Sequence, residues 1–231
     1  SLYRIDLRLR PYCAAGPLVN TMRSVEHYYR AYAEAWERQA LIRSRALVGP
    51  ADLALRWDSV LESQAFRPTL GVFELADMVD LRKRTAASAP PEDVKRRTGG
   101  IRDIEFLVQT LQMAFGHEYP EVRTRPTCEA LTALSKQGFI GVAEATNLAA
   151  CYTFLRQVEH RCQLFGDVQT HNLPTDPVRR EVLARTLRMQ SWQKVVERLD
   201  QVWPIVEGSA RERLHAVSSG SNPREEVLAA L

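Results

Sequence analysis

Long apolar runs are missing from this sequence. Nothing in it approaches the roughly 20 consecutive apolar residues that a membrane-crossing helix needs. Its first residues, Ser1-Leu2-Tyr3-Arg4-Ile5-Asp6, alternate apolar and charged side chains and lack the apolar centre of a secretory leader. Cysteine is scarce: Cys13, Cys128, Cys151 and Cys162 make no C-x-x-C pair, and the five histidines supply no zinc-type spacing. Cys151 and Cys162 fall in an apolar helical stripe, which reads as buried free thiols and so as a reducing, cytoplasmic setting. The net charge of +3 is too small to mark a nucleic-acid coat. What is present is an ordinary globular balance, 45% hydrophobic and 26% charged, on 231 residues, enough to bury a real core.

Residues 2–10 alternate with period two. Ile5, Leu7 and Leu9 point one way, and Arg4, Asp6, Arg8 and Arg10 the other, the pattern of a half-buried strand. Pro11 stops it, Gly16-Pro17 turns the chain, and Leu18-Val19 reads as a short returning strand. A two-stranded ribbon is marginal alone, so the chain is expected to be cut from a longer protein with most of a sheet upstream. The rest reads as helix. A segment capped at Thr21 or Ser24 runs through Tyr28, Tyr32 and Trp36 and continues, either unbroken or with one break, through Leu41-Ile42 to Val48, where Gly49-Pro50 ends it. Helices follow over 51–65 and from Phe73 to Ala87, then a loop over 88–98. Ile101, Ile104, Val108, Leu111 and Phe115 form a clear helical stripe that stops at Gly116. A short helix around Leu131 and Leu134 ends at Gly138. A long one carries Leu148, Cys151, Leu155, Val158, Cys162 and Phe165 to Gly166, and helices near 177–188 and 191–217 complete the set. The expected fold is mainly α, a helical bundle preceded by a short β-hairpin.

Several residues are candidates for chemistry, each with a plain structural alternative. Asp6 sits on the polar strand face between Arg4 and Arg8, and by spacing alone it reads as an exposed, salt-bridged residue. Gly99-Gly100 precedes a helix. Glycines there allow close approach by a ligand or by another backbone, and free N–H groups at a helix start favour an anion. Lys95 and Arg102 bracket that turn with positive charge, and Asp103 and Glu105 suit the first turns as capping carboxylates. Glu37 and Arg43 are candidates for an ion pair. Trp36 suits a core anchor, and Glu159-His160 and His171 suit packing better than metal binding.

The local strings add to this reading. Arg4-Ile5-Asp6-Leu7-Arg8-Leu9-Arg10-Pro11 resembles the third-carboxylate strand of polymerase-β-type nucleotidyltransferases. Gly16-Pro17-Leu18, Tyr28-Tyr29 and Trp36-Glu37-Arg38-Gln39-Ala40-Leu41-Ile42-Arg43 follow in order. So do Asp93-Val94-Lys95, Gly99-Gly100-Ile101-Arg102-Asp103-Ile104-Glu105-Phe106, Phe154-Leu155-Arg156-Gln157-Val158-Glu159-His160-Arg161 and Gln169-Thr170-His171-Asn172-Leu173-Pro174. Together, over residues 2–190, they are similar to the glutamine synthetase adenylyltransferase/adenylyl-removing enzyme family. The resemblance implies that residues 1–49 end a nucleotidyltransferase domain, that 50–217 form its helical follower, and that 218–231 are a tail or linker.

It further implies Mg²⁺ as cofactor, with ATP, ADP and phosphate as substrates. Asp6 would be the third catalytic and metal-binding carboxylate, the companion Asp-x-Asp pair lying outside this chain. Arg8, Lys95, Gly99, Gly100 and Arg102 would bind nucleotide or phosphate. The implied partners are glutamine synthetase and a PII signalling protein, with no nucleic acid and no membrane. The Gly-Pro-Leu-Val, Gly-Gly-Ile-Arg-Asp-Ile-Glu-Phe and Gln-Thr-His-x-Leu-Pro stretches look more like the deadenylylating half, which works by phosphorolysis. Two other readings share these features: a PII-uridylylating-type nucleotidyltransferase, and a non-catalytic helical docking or regulatory domain.

Overall fold

The computed structural model describes residues 7, 9–68, 70–164, 170–220, 222, 224 and 227. Among them every extended regular element is helical: α1 (Met22–Ala31), α2 (Ala35–Leu41), α3 (Ala51–Ala65), α4 (Val72–Ala87), α5 (Ile101–Phe115), α6 (Thr127–Lys136), α7 (Val142–Leu164), α8 (Pro177–Thr186) and α9 (Trp192–Ser218). Cys13–Ala15 and Pro120–Val122 add short 3-10 turns. No helix is long and apolar enough to cross a membrane among the described residues.

The expected hairpin is not seen in the part of it that is described. Residues 1–6 and Arg8 lie outside the described residues. Leu18 and Val19 are exposed bends, not a returning strand. The loop before them folds around the Arg10 guanidinium, which donates to Leu7 O at 2.8 Å, Ala14 O at 3.3 Å and Gly16 O at 3.2 Å. A side chain supplies the donors that a strand partner would otherwise provide.

The helical run expected from Thr21 to Val48 takes the break that was allowed for, after Ala31, and ends early, at Leu41. Thr21 caps α1 by accepting from Ser24 N at 3.2 Å. The chain then leaves the helix and restarts where Glu34 and Glu37 form a reciprocal capping box, Glu34 N donating to Glu37 Oε2 at 2.9 Å. It stops at Leu41 because the following residues are drawn sideways. Arg43 reaches Thr127 Oγ1 at 2.6 Å and Glu105 Oε1 at 3.2 Å, and Arg125 Nε donates to Ser44 O at 2.8 Å.

The α5 stripe behaves as its spacing predicts. Ile101, Ile104, Leu107, Val108 and Leu111 are buried against Leu148, Cys151 and Leu155 of α7 and Val195, Leu199, Val202 and Val206 of α9. The α6–α7 corner has the geometry of a Schellman stop. Gly138 takes φ +81°, Phe139 N donates to Leu134 O at 2.9 Å and Gly138 N to Ser135 O at 3.0 Å. A second core joins Val25, Tyr28, Tyr29, Ala33, Leu41 and Ile42 to Val60, Leu61, Phe66, Met78 and Met113. Residues on both sides of position 49 therefore share one apolar interior.

Candidate functional site

The loop over 88–98 is highly structured. The Asp93 side chain is buried and accepts from Lys95 N at 3.0 Å, Arg96 N at 2.8 Å and Arg96 Nε at 2.6 Å. Burial pushes this carboxyl's pKa up, but the hydrogen bonds from Arg96 and Lys95 outweigh it and hold Asp93 below the ordinary carboxylate range. Val94 N donates to His171 O and Leu173 N to Glu92 O, both at 2.9 Å, around an antiparallel bridge between Asp93 and Asn172. Val94 itself is fully buried with Val158, Cys162 and Leu183.

This stitching aims three basic side chains at one carboxylate. Glu159, on α7, is buried. Lys95 Nζ lies 3.4 Å from its Oε1. Arg156, one turn earlier, pairs with Oε2. His171 Nδ1 lies 2.8 Å from Oε1 but out of hydrogen-bond alignment, and it adds positive charge there only when protonated. His160 Nε2 stands 3.0 Å from Arg156 Nη2. The Asp-Val-Lys, Leu-Arg-Gln-Val-Glu-His and Thr-His-Asn strings, far apart in sequence, thus converge on Glu159. Spacing hinted only at the Arg156–Glu159 pair, three residues apart on a helix. Nothing in the sequence pointed Lys95 or His171 at Glu159.

The Gly99-Gly100 turn lies against the same loop, and its glycines serve the protein's own backbone. Gly99 has φ +78°, and a Cβ there would strike the backbone of Trp203 on α9. A Cβ on Gly100 would lie 2.8–2.9 Å from the carbonyl oxygens of Lys95, Arg97 and Val94. The N–H groups of this helix start are also occupied: Gly100 N by Arg97 O at 2.9 Å, Ile101 N by Val94 O at 3.1 Å, Arg102 N by Lys95 O at 2.9 Å. The anion cradle expected there is therefore replaced by close backbone packing, and a bulkier residue at Gly100 would disturb folding itself. Gly99 N donates to Asp103 Oδ2 at 2.8 Å, and Arg82 of α4 embraces the same buried carboxylate through Nε (2.8 Å to Oδ1) and Nη2. Arg97 stacks over Trp203 with 3.5 Å to the ring centre.

Of the other expected site residues, Asp6 and Arg8 lie outside the described residues, and Arg102 projects from the exposed side of α5. The Glu37–Arg43 pair does not form. Glu37 accepts from Tyr28 Oη at 2.6 Å, and burial together with that carboxylate pushes the Tyr28 phenol far up. Arg38 and Arg67 pair instead with Glu74. Among the described residues no group of three or more His, Cys, Asp or Glu is placed to hold a metal. Asp93, Asp103 and Glu159 each already face a cation, so these residues do not fit Mg²⁺. A cleft of about 650 Å³ between α4 and α9, lined by Val79, Arg82, Lys83, Arg211, Leu214 and His215, has the size of a small-molecule pocket.

Comparison with known proteins places these motifs. The family model described as glutamate-ammonia ligase adenylyltransferase matches residues 1–60, and one described as GlnD PII-uridylyltransferase matches 75–212. Proteins named bifunctional glutamine synthetase adenylyltransferase/adenylyl-removing enzyme run across both parts. That of Methylococcus capsulatus is 34% identical over 94% of this chain and 22% of its own length. Those of Bradyrhizobium diazoefficiens and Burkholderia mallei are 37% and 32% identical over 81% and 99% of this chain, and 19% and 26% of their own lengths. The chain belongs to this adenylyltransferase family. It spans about a fifth to a quarter of the length of the relatives it matches. The family likeness runs past residue 190, where recognisable motifs give out.

Proposed function

We propose that this chain is part of a nucleotidyltransferase that attaches AMP to a tyrosine of glutamine synthetase and removes it again, and that it belongs to the deadenylylating, phosphorolytic half. Residues 1–49 are assigned to the end of the nucleotidyltransferase domain, 50–217 to the helical domain and 218–231 to a tail. The observation that carries the reading is the ordered likeness to the bifunctional enzymes along almost the whole chain. Asp6 is assigned as one of three carboxylates of a catalytic centre that takes ATP, ADP and phosphate with Mg²⁺. Arg8 is assigned to nucleotide or phosphate binding beside it. A PII signalling protein is the proposed regulatory partner and the cytoplasm the proposed compartment, in keeping with four free cysteines.

The helical part's role in this reading is structural and positional. Arg43 ties the end of α2 to α5 through Glu105 and to α6 through Thr127, and the second core fuses α1 and α2 to α3, α4 and α5. The helical domain thereby holds the end of the catalytic domain in one orientation. The match of residues 75–212 to the uridylyltransferase description favours the uridylylating reading in that segment, while the match of 1–60 and the relatives that cross both favour adenylyl transfer.

The test uses the full-length protein. Asp6→Asn should abolish deadenylylation and leave adenylylation running, because an amide does not replace a charged metal ligand. Assaying both reactions on purified glutamine synthetase distinguishes the outcomes. Near-normal rates in both directions would remove Asp6 from the catalytic centre. Loss of adenylylation alone would move the chain to the other half.

A further inference from the structure

We propose that Lys95, Arg156, His160 and His171 form a binding site for a phosphate group on the surface of the helical domain. The charges here sit at two depths. The Glu159 side chain is 1% exposed, whereas Lys95 and Arg156 are 31% and 33% exposed. Asp93 and Arg96 repeat the pattern next door, a buried carboxylate beneath a half-exposed guanidinium. The acids lie underneath and the donors face outward, so an approaching ligand meets a basic face.

The donors are also in surplus. A buried carboxylate needs a cation in good geometry and donors for its remaining lone pairs. Glu159 gathers an ammonium, a guanidinium and an imidazole. An ammonium carries three N–H donors and a guanidinium five. Lys95 spends one toward Glu159, and Arg156 spends its own on Glu159 and His160. Both side chains stay about a third exposed, which leaves their other donors within reach of a ligand. Glu159 and the stitched 93–97 and 170–174 loops fix these groups before any ligand arrives, which lowers the entropy cost of binding. A compact set of lysine, arginine and histidine donors around one point suits a tetrahedral, multiply charged oxyanion better than a planar carboxylate or an extended acidic peptide. Inorganic phosphate and the phosphates of a nucleotide share that chemistry.

The inference deepens the transferase reading, which already gives Lys95 a nucleotide or phosphate, but its test concerns binding by the chain itself. It is tested by titrating the isotopically labelled 231-residue chain with inorganic phosphate, ADP and adenosine, following amide and side-chain NMR signals, with sodium chloride at matched ionic strength as reference. Saturable shifts centred on residues 93–97, 156–160 and 171 are expected with phosphate or ADP and not with adenosine. Response to phosphate and ADP alike identifies the phosphate group as the whole ligand; response to ADP alone identifies a nucleotide phosphate. Arg156→Lys keeps a positive charge over Glu159, and so the fold, but loses the fork of donors. It should weaken binding about tenfold or more, and Lys95→Gln should do the same. Equal shifts with chloride, equal shifts with adenosine, or unchanged affinity in both folded variants would overturn the proposal. Failure here would leave the Asp6→Asn test of the transferase reading untouched.

Discussion

Asp103 offers the sharpest test of how this fold is held. Its carboxylate is buried on the first turn of α5, accepts from Gly99 N, and is embraced by Arg82 from α4. The Arg82 side chain is only 13% exposed, so water screens the pair little. Asp103→Asn keeps one acceptor oxygen but turns an NH₂ toward donors and strands the guanidinium. Breaking one side of a buried pair costs about 3–5 kcal/mol, and the lower end applies here because one acceptor survives. For a chain of this size each kcal/mol moves the melting temperature by about 2–4 °C, so a fall of about 6–12 °C is expected. Calorimetry or circular dichroism on the purified chain measures it. A double-mutant cycle with Arg82→Met and Asp103→Leu should show that the two changes together cost less than their sum by about 1 kcal/mol or more. A melting point within about 2 °C of the parent in Asp103→Asn, or simple additivity in the cycle, would refute the reasoning.

Gly99→Ala should cost at least about 2 kcal/mol, since alanine pays for a left-handed backbone and also meets the Trp203 main chain; urea unfolding would show the loss, and an unchanged midpoint would contradict the packing. Asp93 titrates lower in the folded chain than the roughly 3.9 of an unfolded one. Its contribution is therefore complete above the unfolded value and lost as pH falls through the folded one. Asp93→Asn should lower stability at neutral pH and flatten the acid limb of the stability curve, which a set of melts from neutral to acid pH would reveal. Burial raises the Cys162 thiol to about 11 and pushes Cys151 up as well, while Cys13 and Cys128 are half-exposed. Alkylation followed by peptide mapping should label Cys13 and Cys128 first, with Cys151 and Cys162 reacting only on unfolding.

The bundle was legible where burial repeats along one helix. The α5, α7 and α9 stripes carry apolar residues at steps of three and four, and most of them line the main core; Val158 and Cys162 of α7 pack instead with Val94 and Leu183, and Phe165 lies outside the described residues. In the stretch after Tyr32 a break was allowed for, but its place and the early end at Leu41 were not legible. The Glu34–Glu37 capping box opens a new helix, and Arg43 and Ser44 are claimed by residues more than 60 positions away. The glycine turn was located, and close approach by another backbone was one of its two readings, but which backbone was not legible. The need for a bare Cα at Gly99 comes from Trp203, on a helix about a hundred residues later in the chain. The same holds for Glu159. A glutamate on a helix looks alike whether it faces water or receives Lys95 and His171 from separate loops, and only the stitching of those loops decides which.

The interior shared across position 49 has a mechanical consequence. Leu47 and Val48 stand exposed between α2 and α3, on a stretch with no regular structure. A protease that cuts there severs the chain at an accessible joint. The two pieces would still be held by Tyr28, Tyr29, Leu41 and Ile42 against Leu61, Phe66, Met78 and Met113, and by Arg43 on the shorter piece reaching Glu105 and Thr127 on the longer. The nicked protein would therefore run as two bands on a denaturing gel and as one particle in native buffer. Separately expressed halves would be expected to find each other, because neither can close its own apolar face without the other.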